Sequence, residues 1–255
     1  HWDKANNYVK GIEDFVPTVQ YQLFEHQNIV VKDILKKWIQ YSQNNKFHGM
    51  FATSSIAEAI EYYRLFKKLK PKLKITALFD PNIDNNENAK FKEDGLVEII
   101  SDYNNRYGME FSLATHAKMK RDIADRLAHK ELYKRVEHTP EKQLDLLIVV
   151  DQMLTGFDSK WVNTLYLDKM LEYANLIQAF SRTNRLFGKD KPFGIIRYYR
   201  RPHTMKRNID AAVKLYSGDK PLALFVDKLQ DNLKKLNTIF TDIEQLFKST
   251  GIENF

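Results

Sequence analysis

Residues 144–150 read Leu-Asp-Leu-Leu-Ile-Val-Val, and this run decides the fold. Asp145 is its only polar residue. A strand with one wet face alternates apolar and polar residues. A continuous apolar run belongs to a strand covered on both faces, as in a parallel sheet. Working outward, Phe47–Thr53 is a second strand, Lys74–Phe79 a further apolar run, Thr164–Leu167 another, and Gly194–Tyr199 a closing strand. Between them lie helical periods. Ile56–Leu69 places Ala59, Ile60, Tyr63, Phe66 and Leu69 on one face, and Leu171–Asn184 is also helical. Strands alternating with helices specify an open α/β sheet with right-handed crossovers and helices on both faces.

The flanks read more simply. Residues 1–20 are polar, contain Gly11 and Pro17, and read as a linker. Leu23–Tyr41 is an amphipathic helix with Ile29, Val30, Ile34, Leu35, Trp38 and Ile39 at helical spacing. Thr53, Ser54 and Ser55 are good N-cap residues for the helix that follows them, and Pro71 ends it. Residues 82–95 read as a loop or a poorly packed helix start, while Leu96–Tyr107 and Thr115–Val136 are helical. From Thr204 the chain is helical throughout, with Leu and Phe at helical spacing over Leu222–Phe247. The expected division is 1–45 linker and helix, 46–200 sheet domain, and 201–255 the start of a C-terminal helical extension.

The 255 residues are 43% hydrophobic and contain no cysteine. That fraction supports a sizeable core and excludes wholesale disorder. Disulfides, thiolate zinc sites and a cysteine nucleophile are excluded, which fits a reducing cytoplasmic compartment. The longest aliphatic run, Leu146–Val150, is too short to cross a bilayer, so no membrane partner is expected. No secretory signal is visible, and the chain opens on His1. It reads as a piece of something longer.

The net charge of +7 is localised. Between Gln178 and Arg207 stand nine cations, six of them Arg, against one acid, Asp190. The arginine fork fits phosphate bidentately, so this segment reads as a phosphate-facing surface, with a solvated basic face as the plain alternative after Arg197.

Several chemistries find no support. The one Gly-Lys pair, Gly188-Lys189, is followed by Asp190 and lacks the upstream glycine of a triphosphate-binding loop. Leu146–Asp151 resembles the acid-terminated strand of a nucleotide hydrolase, yet without that loop Asp151 reads as a loop cap. The seven histidines form no pair at ligand spacing, so no metal site is expected. No Gly-x-Ser-x-Gly elbow supports a hydrolytic triad.

Two strings carry chemistry. Thr155-Gly156-Phe157-Asp158 follows the 144–150 strand, where ligands meet a parallel sheet. A threonine hydroxyl bonds phosphate, glycine lets backbone approach closely, and aspartate takes a ribose hydroxyl or orients an arginine. A simple turn is the plain alternative. The second string is Gln178-Ala-Phe-Ser-Arg182-Thr-Asn-Arg185. On a continuous helix Gln178, Arg182 and Arg185 share one face. Paired arginines there suit charge building on a transferring phosphoryl group, worth roughly 10³–10⁵ in rate.

Together, and in this order, the strings resemble motifs V (154–158) and VI (178–185) of the second RecA-like domain of superfamily 2 helicases and translocases. The Ser-Arg-Thr-Asn-Arg wording, with Asn163–Lys169 and Leu176–Gln178 before it, is similar to the motor (R) subunit of type I restriction–modification enzymes. The resemblance is plainest over residues 144–200, and Phe47–Ser55 is compatible with motif IV. It implies a RecA-like parallel sheet. It implies catalytic roles for Arg182 and Arg185 toward ATP and magnesium held mainly by a first RecA-like domain. Gln178, Asp158 and Gly156 would stand at the nucleotide cleft. Thr155, Thr53 and Ser54 would face DNA. It further implies double-stranded DNA as track, and specificity and methyltransferase subunits as partners. The chain lacks nuclease and Walker motifs, so enzyme activity belongs to the full subunit and the piece alone should be inactive. Two other readings stand beside this one: the second motor domain of another superfamily 2 DNA helicase, and a non-enzymatic basic DNA-binding module.

Overall fold

A computed structural model describes residues 10–80, 89–150, 152–153, 157–217 and 229–249. Two compact units divide the chain, residues 1–212 and 213–255. The first contains a five-stranded parallel sheet. Its strands are β1 (His48–Thr53), β2 (Ile75–Leu78), β3 (Leu146–Val149), β4 (Val162–Asp168) and β5 (Ile195–Tyr198), in the order β2-β3-β1-β4-β5. Every pairing is parallel, with Gly49 opposite Leu146 and Thr164, and Thr53 opposite Asp168. The parallel sheet that the 144–150 run specifies is present, and with its helices the fold is α/β and RecA-like, as the resemblance implies. β3 is buried along its whole length. The edge strand β5 is only half-buried.

The helices are α1 (Ile12–Phe15), α2 (Phe24–Tyr41), α3 (Ile56–Leu69), α4 (Ala89–Tyr107), α5 (His116–Ala128), α6 (Tyr173–Phe180), α7 (Pro202–Ser217) and α8 (Leu229–Ser249). α3 starts where its sequence says. The Ser55 hydroxyl accepts the Glu58 N–H, the usual N-cap bond, and Lys67 and Lys68 close the helix against its dipole. Its buried face packs edge-on against the sheet: Phe51 meets Tyr62 at 4.7 Å and Phe66 at 6.1 Å between ring centres. α2 buries Val30, Val31, Ile34 and Trp38. It also holds the sheet's edge through Asp33, which accepts from Arg197 Nη2 and the Tyr199 hydroxyl, each at 2.9 Å. α4 and α5 meet around Arg126. Its guanidinium lies 3.8 Å from the centre of the Tyr107 ring and donates to Asp122.

The polar segment read as a linker carries α1 and a turn of 3₁₀ helix, Thr18–Gln22. Glu13 is buried, and its carboxylate accepts from the His203 and Thr204 N–H groups and the Thr204 hydroxyl. These are donors at the start of α7, which lacks intrahelical partners for them. Those bonds hold the Glu13 carboxyl below the usual range, against the upward push of its own burial.

Two helices stop earlier than their periodicity predicts. Thr115–Val136 is not one helix: α5 ends at Ala128, His129 turns left-handed at φ 51°, and short 3₁₀ turns follow. Leu171–Asn184 shortens to α6, which ends at Phe180.

In the second unit, α8 exposes Leu233, Leu236, Ile239, Phe240 and Ile243. Among the described residues no helix is long and apolar enough to cross a membrane.

Candidate functional site

Polar residues of the kind a ligand meets gather at both edges of the sheet. At the amino-terminal edge, β4 begins at Val162 and the chain leading into it carries Asp158 and Ser159. The Ser159 hydroxyl donates to the Leu127 carbonyl and accepts the Trp161 N–H, which fixes this turn. Arg185 reaches it from the other side, its Nε donating to Asp158 Oδ1 at 2.8 Å. The two side chains are 64% and 59% exposed, so the pair orients the arginine rather than stabilising the fold.

Arg182 is half-buried and folds back on the end of its own helix. Its Nε donates to the Gln178 carbonyl at 3.0 Å and its Nη2 to the Ser181 hydroxyl at 2.7 Å. The Ser181 hydroxyl in turn donates to the Gln178 carbonyl. These bonds satisfy an end carbonyl of α6 and put a cation at the negative end of the helix. Burial lowers the Arg182 pKa, Arg185 adds to that, and Asp158 opposes it.

The helical face predicted for Gln178, Arg182 and Arg185 is therefore not what joins them. α6 ends two residues before Arg182, and Arg185 lies beyond the turn at Ser181–Asn184. That turn carries both arginines, and it brings Arg185 to Asp158. It is anchored by Thr183, buried, whose hydroxyl donates to the Phe180 carbonyl. Gln178 itself is exposed at the end of α6. Thr155, Gly156 and Asp151 lie outside the described residues.

Next to this turn stands Lys191, which is fully buried. Its Nζ donates to the carbonyls of Lys160 and Val162 at 3.1 and 2.7 Å. Burial pulls its pKa down to about 8, with Asp158 opposing. A charge count placed Lys191 on the basic surface. The structure makes it a tie between the hairpin at 187–191 and the start of β4.

At the carboxyl-terminal edge, Thr53 is buried and its hydroxyl donates inward to the Ser55 and Val149 carbonyls. Ser54 is exposed and its hydroxyl donates to the Asp168 carbonyl. Beneath them lies an ion network that the sequence did not disclose. Asp168, fully buried, accepts from His26 at 2.8 Å, from the Tyr62 hydroxyl at 2.6 Å, and from Arg200 Nε and Nη2 at 3.0 Å. Arg200 Nη2 also donates to Glu58 at 2.7 Å. Burial pushes both carboxyls up. At Asp168 the bonds from His26, Arg200 and Tyr62 prevail and hold it low, whereas Glu58, beside the charged Asp168, stays raised. Arg200 was expected to face solvent or phosphate; it is instead the paired centre of this network. The sequence signal was an acid ending an apolar strand at Asp168, the pattern noted only at Asp151.

Among the described residues no group of three acidic or histidine side chains could hold a metal ion.

Residues 45–201 match the family described as type I restriction enzyme subunit R domain 3. The chain is 37% identical over 215 residues to the endonuclease subunit of a type I restriction enzyme of Staphylococcus aureus (strain COL), covering 81% of this chain and 22% of that protein. It is also 37% identical over 198 residues to the corresponding subunit from Staphylococcus saprophyticus, covering 74% and 20%. To the HindI endonuclease subunit of Haemophilus influenzae it is 30% identical over 163 residues, covering 63% and 14%. The chain thus spans about a fifth of the length of the first of these relatives.

Proposed function

The chain belongs to the type I restriction enzyme R-subunit family, matching its domain 3, and on that footing we propose that it is the second RecA-like half of an ATP-driven DNA translocase. The observation that carries this reading is Arg185 held on Asp158, with Arg182 on the same turn, at one end of a parallel sheet. Arg185 spends one N–H on Asp158 and is otherwise exposed, so the donor chemistry fits phosphate oxygens. ATP with magnesium, held by a first RecA-like domain, supplies the phosphoanhydride to be cleaved. Arg182 and Arg185 then donate to the phosphoryl oxygens as charge builds there, and Asp158 keeps Arg185 aimed. On the same reading Gln178 and Gly156 are assigned to the nucleotide cleft. No magnesium ligand is assigned to this chain.

The opposite edge faces the track. The exposed Ser54 meets the DNA backbone there, while Thr53, its hydroxyl committed inward, shapes the strand end; Thr155 is assigned to the DNA backbone by the family resemblance alone. Residues 46–200 form the motor domain and 201–255 begin a helical region. The whole protein cleaves DNA in the cytoplasm, in complex with specificity and methyltransferase subunits. The test is DNA-stimulated ATP hydrolysis by the intact subunit. Arg185→Ala is expected to remove most of it, with folding and ATP binding intact; unchanged turnover overturns the reading.

A further inference from the structure

The Arg185–Asp158 pair is exposed at both ends, and an exposed ion pair alone fixes a long arginine side chain only weakly. The geometry of Arg185 must come from its surroundings. The two segments that carry the pair are joined a second time, out of water. Lys191, six residues after Arg185, donates from Nζ to the carbonyls of Lys160 and Val162, just after Asp158. Between Arg185 and Lys191 the loop is bridged by Phe187, which exchanges backbone bonds with Lys191 at 3.0 and 3.3 Å. The Phe187 ring seats on Trp161 at 4.7 Å and on Phe47 at 5.9 Å between ring centres. Lys191 is a costly choice for such a tie. It is fully buried, and among the described residues no carboxylate pairs with it. An apolar side chain would fill the space without the penalty of a buried ammonium. What the ammonium adds is a pair of charge-assisted bonds to two fixed carbonyls.

The tip of the loop is clamped independently. The Asp190 carbonyl accepts from Gln43 Nε2, and the Asp190 carboxylate pairs with Lys46 at 2.6 Å. Both partners come from the turn between α2 and β1, where Gln43, Asn44 and Asn45 are all left-handed, with φ 49°, 58° and 64°. Such conformations persist where the surroundings enforce them, and they gather at functional sites. Here Asn45 is held from three sides. Its side-chain oxygen accepts from Trp38 Nε1, its N–H donates to the Ser42 hydroxyl, and its carbonyl accepts from Gln143. A strained but firmly held turn thus presents Gln43 and Lys46 to the loop that follows Arg185.

We infer that Lys191 is a positioning residue for Arg185: tied to the Lys160 and Val162 carbonyls, and helped by the Gln43–Lys46 clamp, it fixes the angle at which Arg185 meets a phosphoryl oxygen. The inference deepens the motor reading and rests on it. Lys191 touches no substrate and acts through Arg185. Lys191, Gln43 and Lys46 all lie outside motifs V and VI.

The test is DNA-stimulated ATP hydrolysis by the intact subunit, in steady state and single turnover, with folding checked by circular dichroism. Lys191→Met keeps the apolar stem and removes the donor and the charge. It is expected to lower kcat roughly 10- to 100-fold, the cost of a misplacement of about 1 Å, with KM for ATP within about twofold of wild type. In an Arg185→Ala background it should lower kcat no further, because a residue that acts through Arg185 then has nothing left to aim. Lys189→Met removes the same charge from an exposed position of the same hairpin and should leave kcat unchanged. Wild-type kcat in Lys191→Met, or a raised KM at unchanged kcat, overturns the positioning role and leaves the motor reading standing. A fall of equal size in the Arg185→Ala background does the same. Normal turnover in Arg185→Ala overturns both. If Lys191→Met fails to fold, the double variant Gln43→Gly, Lys46→Met decides, since glycine suits the left-handed backbone at position 43. It should lower kcat several-fold at constant KM, again only while Arg185 is present, and wild-type kcat there overturns the role.

Discussion

Gly194 sits so close to Thr183 that a Cβ built on it would lie 2.4 Å from the Thr183 carbonyl oxygen. The residue that opens β5 is thus pressed against the turn that carries both arginines. Gly194→Ala must push that turn away. The expected cost is about 1–3 kcal/mol of stability, the usual range for overpacking. Urea denaturation checks it. DNA-stimulated ATPase of the intact subunit should fall more than the loss of stability explains, because Arg182 and Arg185 move with Thr183.

Arg185→Ala should leave stability within about 0.5 kcal/mol of wild type, since its pair with Asp158 is exposed. Its effect on kcat should approach the roughly thousandfold or greater loss typical of such arginines. Asp158→Ala should lower kcat less, and Asp158→Asn less again, because the amide oxygen still accepts from Arg185 Nε. Steady-state ATPase of the three variants in the intact subunit decides. Equal losses for Asp158→Ala and Asp158→Asn would remove the orienting role from the hydrogen bond.

Asp168→Asn leaves Arg200 buried with half of its compensating charge gone. Removing one partner of a buried pair costs about 3–5 kcal/mol. The urea midpoint should fall accordingly, and His26 and Tyr62, which bond different oxygens of Asp168, no longer both find an acceptor. A change below about 1 kcal/mol would mean that Glu58 alone holds Arg200.

Acid should destabilise the fold through its buried histidines. His48 and His129 share a hydrogen bond, Nε2 to Nε2 at 2.8 Å, and His48 Nδ1 donates to the Leu144 carbonyl. Burial lowers His48 to about 3 and His129 to about 4. Unfolded, both titrate near 6.5. Between the two ranges the unfolded chain binds protons that the folded chain refuses, so stability falls as pH drops from about 6.5 toward 4. His116, also lowered by burial, adds to the slope. Denaturant melts at a series of pH values should show this slope, and His129→Gln should flatten it. A flat profile from neutral pH to about 5 would contradict the neutral pair.

The apolar run at 144–150 and the Ser55 cap fix β3 and the start of α3 because each is decided locally, by burial on both faces and by one side-chain bond. The helix ends were not legible in the same way. α6 stops where the Ser181 and Arg182 side chains turn back to the Gln178 carbonyl. α5 stops where His129 stacks on Trp161 at 3.9 Å and meets His48, 81 residues away. Charge counting failed for a related reason. Arg200 and Lys191 look like their exposed neighbours in sequence, and only the packing of distant segments buries them.

The bonds from Glu13 to the start of α7 join residues 190 and 191 positions apart. His26 and Asp33 likewise serve Asp168 and Arg197 from outside the sheet. The smallest piece that folds autonomously is therefore longer than the sheet itself. A fragment cut at residue 45 would keep every strand yet strip α7 of its cap, Asp168 of one donor and Arg197 of its acceptor. Ties of such long sequence separation cost the most loop closure, so they are expected to form late in folding and to complete the carboxyl-terminal edge last.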